Sequence, residues 1–424
     1  MQQTGTPKRD RKKEDGLSIK LNMLWNSAGS FAYLGCQWLI TVLVVRLSDG
    51  YDAAGALSLA MSVYNIFSAL AVYRMYTYQV SDVTHENTVG EYFALKLITC
   101  GAALVLILVY AATTCPLDSF TTIGLYAIYK IASLLIDVLH GLDQQNHRMD
   151  YIGKSLSMQG AASLVVFCVG MTLTSSLYIS IIGMTAAIAL IGFVYDLPRS
   201  TRFELLHISI SREKALHLLS YCLPIVIAAV ACNAVPSIPR QYLAAFSGST
   251  ALGIYASVAA PAAIIQMGAN YIYNPLLGYF SKAYADNDAK QLSVLLLKVA
   301  AGIAAVGVAS AFALYWLGKP ILVFFFGESI APYTYLLTPI IAVAMVTAFV
   351  WFLSDVLVAI RDFKGSFIGN MVAAVSSIPL TLYFVPLFDM NGVSFASLAA
   401  YGIGALVMLV CLAATLLRKN EKHH

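Results

Sequence analysis

Long apolar runs dominate the chain and restrict it to one kind of fold. Hydrophobic residues make up 59% of the sequence and charged residues only 11%, which is too little charge to cover a soluble domain of this length. A helical run of about 20 residues spans ~30 Å of hydrocarbon. Backbone groups in lipid must be hydrogen-bonded within the protein, and the short alternating strands of a barrel are not visible. The sequence therefore predicts an all-α integral membrane protein.

The apolar runs predict twelve transmembrane helices. They lie near 23–46, 53–73, 92–114, 119–140, 153–174, 177–195, 216–246, 251–280, 292–317, 333–360, 366–388 and 392–417. We divide the chain into a basic tail at 1–20, a six-helix lobe at 21–195, a linker at 196–215, a second six-helix lobe at 216–417 and a tail at 418–424. Because the number of spans is even, both termini are expected on one side of the membrane.

Lysine and arginine residues concentrate on one side of the predicted bundle. The N-terminal tail and the connections on its side hold most of the 26 basic residues, whereas the opposite helix ends hold only Arg46 and Lys319. This asymmetry predicts a multi-pass protein of the cytoplasmic membrane with both termini in the cytoplasm. The tail at 1–20 is interpreted as a topology anchor, because nothing folded accompanies it to support binding to nucleic acid.

The two halves of the chain resemble each other weakly. The sequence LIDVL at 135–139 recurs as LSDVL at 353–357. An offset of 198 residues pairs Gly50 with Gly248 and Gly55 with Gly253, and a later offset of 216 pairs Gly153 with Gly369. Six spans per half give both halves the same orientation. We therefore expect two pseudo-symmetric six-helix lobes, related by an axis along the membrane normal, with a transport pathway between them.

Lys130 is the most unusual charge in the sequence, because it lies close to the middle of a predicted span. An ionisable group at that depth is expensive and is commonly functional. One interpretation is a structural ion pair with an acid on a neighbouring helix; the other is a side chain that lines the pathway. Asp137 lies two helical turns away on roughly the same face, too far for direct contact.

Three arginines at helix ends are further candidates for an anion-binding pathway. Arg46 and Arg240 end the first helices of the two halves on the outer side, and Arg74 ends the second helix on the inner side. They can be interface anchors. They can also grip phosphate oxygens, which guanidinium groups bind bidentately. With Lys130 they would form a cationic route suited to a pyrophosphate.

Asp137 and Asp355 of the repeated sequence have two interpretations. They can pair structurally with His140 or Arg361 near the inner ends of their helices, or they can bind a coupling cation. The seven cysteines are scattered without a CxxC pattern, and no phosphate-binding glycine loop occurs. We therefore expect no metal site, no cofactor and no ATP hydrolysis.

The chain resembles the Wzx-type polysaccharide or O-antigen flippases of the MOP exporter superfamily. The resemblance rests on the passage from Asn22 to Gly55, on the sequence LGIYA at 252–256 and on the duplicated twelve-span layout. It implies a MATE-like fold whose spans 1, 2, 7 and 8, with 4 and 10, line a central cationic cavity. The family's cavity arginines map approximately onto Arg46, Arg74 and Arg240.

The resemblance also implies a function in surface polysaccharide assembly. The substrate would be an undecaprenyl-pyrophosphate-linked oligosaccharide, as in O-antigen and lipopolysaccharide biosynthesis, and it would cross the membrane by alternating access. Expected partners are membrane lipids, H⁺ or Na⁺ as coupling ion, and polysaccharide assembly proteins. The alternative is a MATE-like cation-coupled multidrug antiporter. A membrane glycan polymerase or ligase is disfavoured because the predicted external loops are short, the longest lying at about 318–332. We therefore expect no enzyme.

Overall fold

The protein is a bundle of long helices. The computed structural model describes residues 18–82, 86–262, 265–266, 273, 276–286 and 289–421, and no strand occurs among them. Most of the basic tail predicted at 1–20, and the last residues of the tail at 418–424, lie outside the described residues. Eleven helical stretches of the described residues are long and apolar enough to cross a membrane. The prediction of an all-α multi-pass membrane protein is therefore confirmed.

The helices of the first half are α1 to α8. Their bounds are α1 Ile19–Arg46, α2 Asp52–Val72, α3 Met75–Ser81, α4 Val89–Thr114, α5 Phe120–Gln145, α6 Met149–Thr174, α7 Leu177–Ile191 and α8 Leu197–Ser200. Helices α7 and α8 are joined by a π-helical turn at Gly192–Asp196. The end at which α1 begins is called here the terminal face, and the other end the opposite face.

The helices of the second half are α9 to α14. Their bounds are α9 Arg212–Ala259, α10 Leu277–Ala285, α11 Ala289–Phe326, α12 Leu337–Ala359, α13 Phe363–Phe388 and α14 Met390–Glu421. Helix α9 contains one non-helical residue, Gly248, with φ of 86°. This break divides α9 into two segments, the second of which leads toward residues that the structure does not describe.

One predicted loop is wrong. The segment 318–332 was expected to be an external loop, but α11 continues through Pro320 to Phe326, and a 3₁₀-helix follows at Glu328–Leu336. The last carbonyls of α11 accept hydrogen bonds from Arg46. This capping stabilises a helical turn that the sequence pattern alone does not indicate.

Glycine contacts bring neighbouring helices of the first half close together. A Cβ atom at Gly29 of α1 would collide with the backbone of Gly153 in α6, and a Cβ at Gly153 would collide with the Trp25 carbonyl. Membrane helices associate through such small residues, because lipid provides no hydrophobic drive for helix pairing. The α1–α6 contact thereby fixes the position of α1 along one side of the central cleft.

The two halves meet at the opposite face through a reciprocal contact. A Cβ at Gly55 would collide with the Ser249 carbonyl, and a Cβ at Gly253 would collide with the Tyr51 carbonyl. The two contacts are related to each other by the offset of 198 found in the sequence, which pairs Gly55 with Gly253 and Tyr51 with Ser249. The Thr250 hydroxyl donates to Asp52, a pair with the same offset. The local pseudo-twofold symmetry predicted from the repeat is therefore visible at this seam.

Gly55→Ala should open the seam at the opposite face. Overpacking costs roughly 1–3 kcal/mol, which is about tenfold or more in the population of the closed arrangement. Cysteines placed at Asp52 and Thr250 should cross-link readily in the otherwise native chain and at least about tenfold less in the Gly55→Ala background, as measured by mass spectrometry of the joined peptides.

Gly35→Ala is the matched control, because no atom lies within 4 Å of a Cβ at Gly35. Equal cross-linking in the Gly55→Ala and Gly35→Ala backgrounds would contradict a seam held by this glycine contact.

Candidate functional site: a cleft between the two halves

A central cavity lies between the two halves of the bundle. Its volume is about 330 Å³, and it is lined by residues of α1, α2 and α9 and by the 3₁₀ turn that follows α9. The polar groups of its lining are Gln37, Trp38, Thr41, Ser58, Arg240 and Ser257. Among the described lining residues, none is acidic. The cavity therefore presents one guanidinium and several neutral hydrogen-bonding groups to whatever occupies it.

Arg240 brings the positive charge to this central cavity. It lies in α9, four residues after Pro236, within a helix that stays continuous through its three prolines. Its guanidinium carbon is 6.0 Å from the ring centroid of Tyr255, and the Tyr255 hydroxyl is 3.1 Å from the Ser394 hydroxyl. The Tyr255 ring favours the cation electrostatically. The guanidinium can still turn its N–H groups toward the cavity.

Lys130 lies beside the central cavity in a smaller one. That second cavity has a volume of about 70 Å³ and shares Gln37 with the central cavity. The Lys130 Nζ donates to Gln37 Oε1 at 3.4 Å, and the Gln37 amide donates to the Tyr129 hydroxyl at 2.8 Å. The ammonium is thus one hydrogen bond away from the central cavity, through a side chain that borders both.

Aromatic rings surround the Lys130 ammonium. Its Nζ is 5.8 Å, 5.7 Å and 5.4 Å from the ring centroids of Tyr33, Tyr126 and Tyr129. No carboxylate of the described residues forms a salt bridge with Lys130, so the structural ion pair considered for it is not found there. Three ring faces lower the cost of a charge at this depth without neutralising it. Tyrosine rings and Gln37, and no described acid, are therefore the neighbours of this ammonium.

Arg46 has a different environment from Arg240. Its Nε donates to the Phe325 carbonyl at 2.7 Å, and its NH2 group donates to the carbonyls of Val323, at 3.2 Å, and Phe324. These are the last carbonyls of α11, whose orphan acceptors carry the negative end of the helix dipole. Arg46 therefore joins α1 of the first half to α11 of the second half at the opposite face.

Arg74 lies at the terminal face, where α2 breaks. Both Tyr73 and Arg74 have left-handed backbone angles, with φ of 49° and 57°, and α3 begins at the next residue. The exposed Arg74 side chain borders a third cavity of about 250 Å³, whose other walls come from α9, α12 and α13 and from Tyr273. Arg74 is thus on the first half, facing a pocket of the second.

The two aspartates of the repeated sequence have different partners. The Asp137 Oδ1 is 3.9 Å from His140 Nδ1, while the other ring nitrogen of His140 is 3.3 Å from Asp196. Asp355 instead accepts a hydrogen bond of 3.0 Å from the Tyr273 hydroxyl. The predicted pairing with His140 is found for Asp137, whereas the predicted partner Arg361 is replaced by Tyr273 for Asp355.

Several lining residues were not singled out from the sequence. Gln37 links two cavities, Tyr255 faces Arg240, and Asn370 lies in the third cavity. The signal available for Gln37 was a neutral polar residue within an apolar run. The signal available for Asn370 was its position next to Gly369, which the repeat aligns with Gly153. Neither signal distinguishes a lining residue from one that packs against another helix.

Comparison with known proteins identifies relatives of this fold. No family model matches the chain. The capsular polysaccharide biosynthesis protein CapF of Staphylococcus aureus is 22% identical over 303 residues, which are 69% of this chain and 74% of that protein. The lipid II flippase MurJ in an inward closed conformation aligns with a TM-score of 0.69 at 14% identity, over 92% of this chain and 87% of that one.

A second solved structure has the same architecture. An inward-facing multidrug resistance MATE transporter of the MOP superfamily aligns with a TM-score of 0.64 at 14% identity, over 94% of this chain and 99% of that chain. At these identities the likeness shows the fold alone. The protein thus has the MATE-like fold of MOP-superfamily transporters, as the sequence predicts.

Replacing Arg46 by glutamine should loosen the end of α11. Charge-assisted hydrogen bonds contribute ~1.5–3 kcal/mol each, so the loss should raise local hydrogen exchange in residues 323–327 by about tenfold or more. Hydrogen–deuterium exchange with mass spectrometry measures this. Lys319→Gln, an exposed residue of the same helix, is the control and should leave the exchange unchanged. Equal hydrogen exchange of residues 323–327 in the two variants would show that Arg46 does not cap α11.

Proposed function

We propose that the protein is a flippase that moves lipid-linked oligosaccharide across the cytoplasmic membrane for surface polysaccharide assembly. The observation that carries this proposal is the central cavity, which has Arg240 in its lining, Lys130 one hydrogen bond away, and no acid among its described lining residues. Such a cavity attracts an anion. The anion that a polysaccharide pathway must move across a membrane is the pyrophosphate of its lipid carrier.

The energetic reason for a cavity is the cost of the headgroup in lipid. An isolated charge in a medium of low dielectric is tens of kcal/mol less stable than in water, and unpaired hydroxyls add further cost. Arg240 and Lys130 offset that cost for the pyrophosphate, while the neutral polar lining accepts and donates hydrogen bonds to the sugars. The polyprenyl tail, proposed to be undecaprenyl, stays in the lipid beside the cleft.

Alternating access supplies the movement. The reciprocal glycine contacts and the Arg46 cap hold the halves together at the opposite face, and the cavity bordered by Arg74 lies toward the terminal face. In this arrangement a headgroup would enter from the terminal face, which we propose is cytoplasmic. Release then requires the seam at Gly55 and Gly253 to separate.

A coupling ion is proposed as part of the cycle. Asp137, with His140 and Asp196 on its far side, is the candidate position for H⁺ or Na⁺, and Asp355, which accepts a hydrogen bond from Tyr273, is a candidate position for H⁺. Carboxylates inside a bundle can bind and release a cation as the surrounding helices rearrange. The transported glycan, including an O-antigen unit of lipopolysaccharide, and the contacts with polysaccharide assembly proteins belong to the same proposal.

A MATE-like multidrug antiporter is the second candidate. The observation that favours it is the carboxylate pair Asp137 and Asp196 around His140, which could exchange protons for a cationic drug. A cationic substrate would, however, meet Arg240 in the central cavity and gain no opposite charge there. For this reason the flippase is preferred, and no catalytic role is proposed.

Removing the cavity cations should reduce surface glycan export in cells that depend on this protein. Lys130→Ala and Arg240→Ala should each lower export by at least about tenfold, because each removes a charged interaction of ~1.5–3 kcal/mol with the pyrophosphate. Arg46→Ala should also lower it by weakening closure at the opposite face. Surface glycan is measured by antibody or lectin binding at matched levels of membrane protein.

Lys319→Ala, which removes an exposed charge outside the cavities, is the control and should leave export intact. The cationic-cavity proposal fails if Lys130→Ala, Arg46→Ala and Arg240→Ala all export as much glycan as the unmodified protein. Arg240→Lys should retain part of the activity, because it keeps the charge but loses the bidentate geometry.

A further inference from the structure

The third cavity, of about 250 Å³ near the terminal face, has a composition unlike that of the central cavity. Its walls carry the aromatic side chains Tyr273, Trp351, Phe363 and Phe367, and its polar groups include Asp355 and Asn370. We propose that this cavity is a saccharide-binding subsite that holds one neutral pyranose ring of the headgroup. Its place in a transport cycle rests on the proposed function, whereas binding itself can be measured alone.

Asn370 supplies a buried acceptor that has no donor among the described residues. The side chain is 3% exposed. Its Nδ2 donates to the Ser354 hydroxyl at 3.1 Å and to the Ser366 carbonyl at 3.0 Å, which fixes the direction of the amide. The Oδ1 atom is buried without a hydrogen bond from the described residues. Leaving such an acceptor unsatisfied costs ~1–3 kcal/mol, and a sugar hydroxyl that displaced the side chains covering it would satisfy it.

Asp355 supplies a second acceptor close to the first. It follows Ser354, the residue that Asn370 contacts, and its Oδ2 accepts from the Tyr273 hydroxyl at 3.0 Å. Tyr273 is the one described donor to this carboxylate, so Oδ1 can accept another hydrogen bond. A carboxylate and an amide that line one cavity suit the hydroxyl groups of a pyranose, which are donors that an ionised phosphate or carboxylate ligand lacks.

Aromatic rings provide the apolar surface that a pyranose needs. Trp351 lies one helical turn before Asp355 on α12, so the two side chains share a face of the helix. The C–H face of a pyranose ring is apolar and can stack on an indole while its hydroxyls bond to acceptors. The cavity volume of about 250 Å³ lies just below the usual range of ~300–1,000 Å³ for small-ligand sites. This volume suits a single sugar ring better than an oligosaccharide of several rings.

Arg74 favours a sugar over Na⁺ in this cavity. Its guanidinium borders the same space as Asp355 but comes from the first half of the chain. A positive charge there opposes the binding of Na⁺, whereas it can reach a phosphate next to the sugar. Because the cavity has walls from both halves, separating or closing the halves would change its shape. A sugar would therefore be held while the terminal side is accessible and released when the walls move.

The test uses the full chain, purified in lipid nanodiscs, with glucose, galactose and N-acetylglucosamine as probes. Saturation-transfer NMR should show transfer from the protein to ring protons of at least one of these sugars. Asp355→Asn, Asn370→Leu and Trp351→Leu should each weaken binding by about tenfold or more, and Trp351→Tyr, which retains an aromatic ring, should restore most of it. Thermal melting in nanodiscs confirms that each variant is folded.

Asp118→Asn is the matched control, because it makes the same substitution at an exposed aspartate outside this cavity and should leave sugar binding unchanged. The inference is overturned if none of the three sugars binds to the unmodified protein. It is also overturned if Na⁺, followed by ²³Na NMR, binds in place of sugar and is lost in Asp355→Asn and Asn370→Leu.

A flipping assay with a fluorescent polyprenyl-pyrophosphate sugar in proteoliposomes separates this inference from the proposed function. Flipping at the unmodified rate by Asp355→Asn and Trp351→Leu, without sugar binding, would overturn the subsite and leave the flippase proposal intact. Sugar binding without any flipping by the unmodified protein would support the subsite and contradict the flippase.

Discussion

The close backbone contact between α2 and the second part of α9 is the constraint on which the cleft depends. Gly55 and Gly253 each lie against a carbonyl of the other segment, so the backbones of the two halves are in direct contact at the opposite face. Arg46 reinforces this contact by bonding to the end of α11. The halves are therefore held together at the opposite face, and the central cavity lies between them.

The surroundings of the two cations in the cleft, Arg240 and Lys130, are explained by the cost of removing a charge from water. Arg240 and Lys130 have no carboxylate partner among the described residues and are instead placed beside tyrosine rings. Rings reduce the cost of a buried cation but leave its charge uncompensated. Pairing with an acid would be more stable and would remove the attraction for an anion. Under the proposed function, stability is given up here for anion binding, as at many functional sites.

Much of the fold could be predicted from the sequence, because lipid requires helices and their length is set by the bilayer. The repeat even indicated which residues are equivalent at the seam, since Gly55 and Gly253 appear at one offset. The contacts of Arg46 could not be predicted, because its partners are 277 to 279 residues away along the chain. The same contacts explain why the loop expected at 318–332 is largely helical. Asn370 and Gln37 were missed because neutral polar residues have no charge to single them out.

The central claim is that the cationic cavity carries a pyrophosphate-linked saccharide. It is tested most directly by reconstituting the purified protein in liposomes and measuring the transbilayer movement of a fluorescent undecaprenyl-pyrophosphate saccharide beside the uptake of a cationic dye. The account predicts rapid movement of the lipid, its loss in Arg240→Ala and Lys130→Ala, and no transport of the dye. Transport of the dye with no movement of the lipid would contradict it and favour a multidrug antiporter.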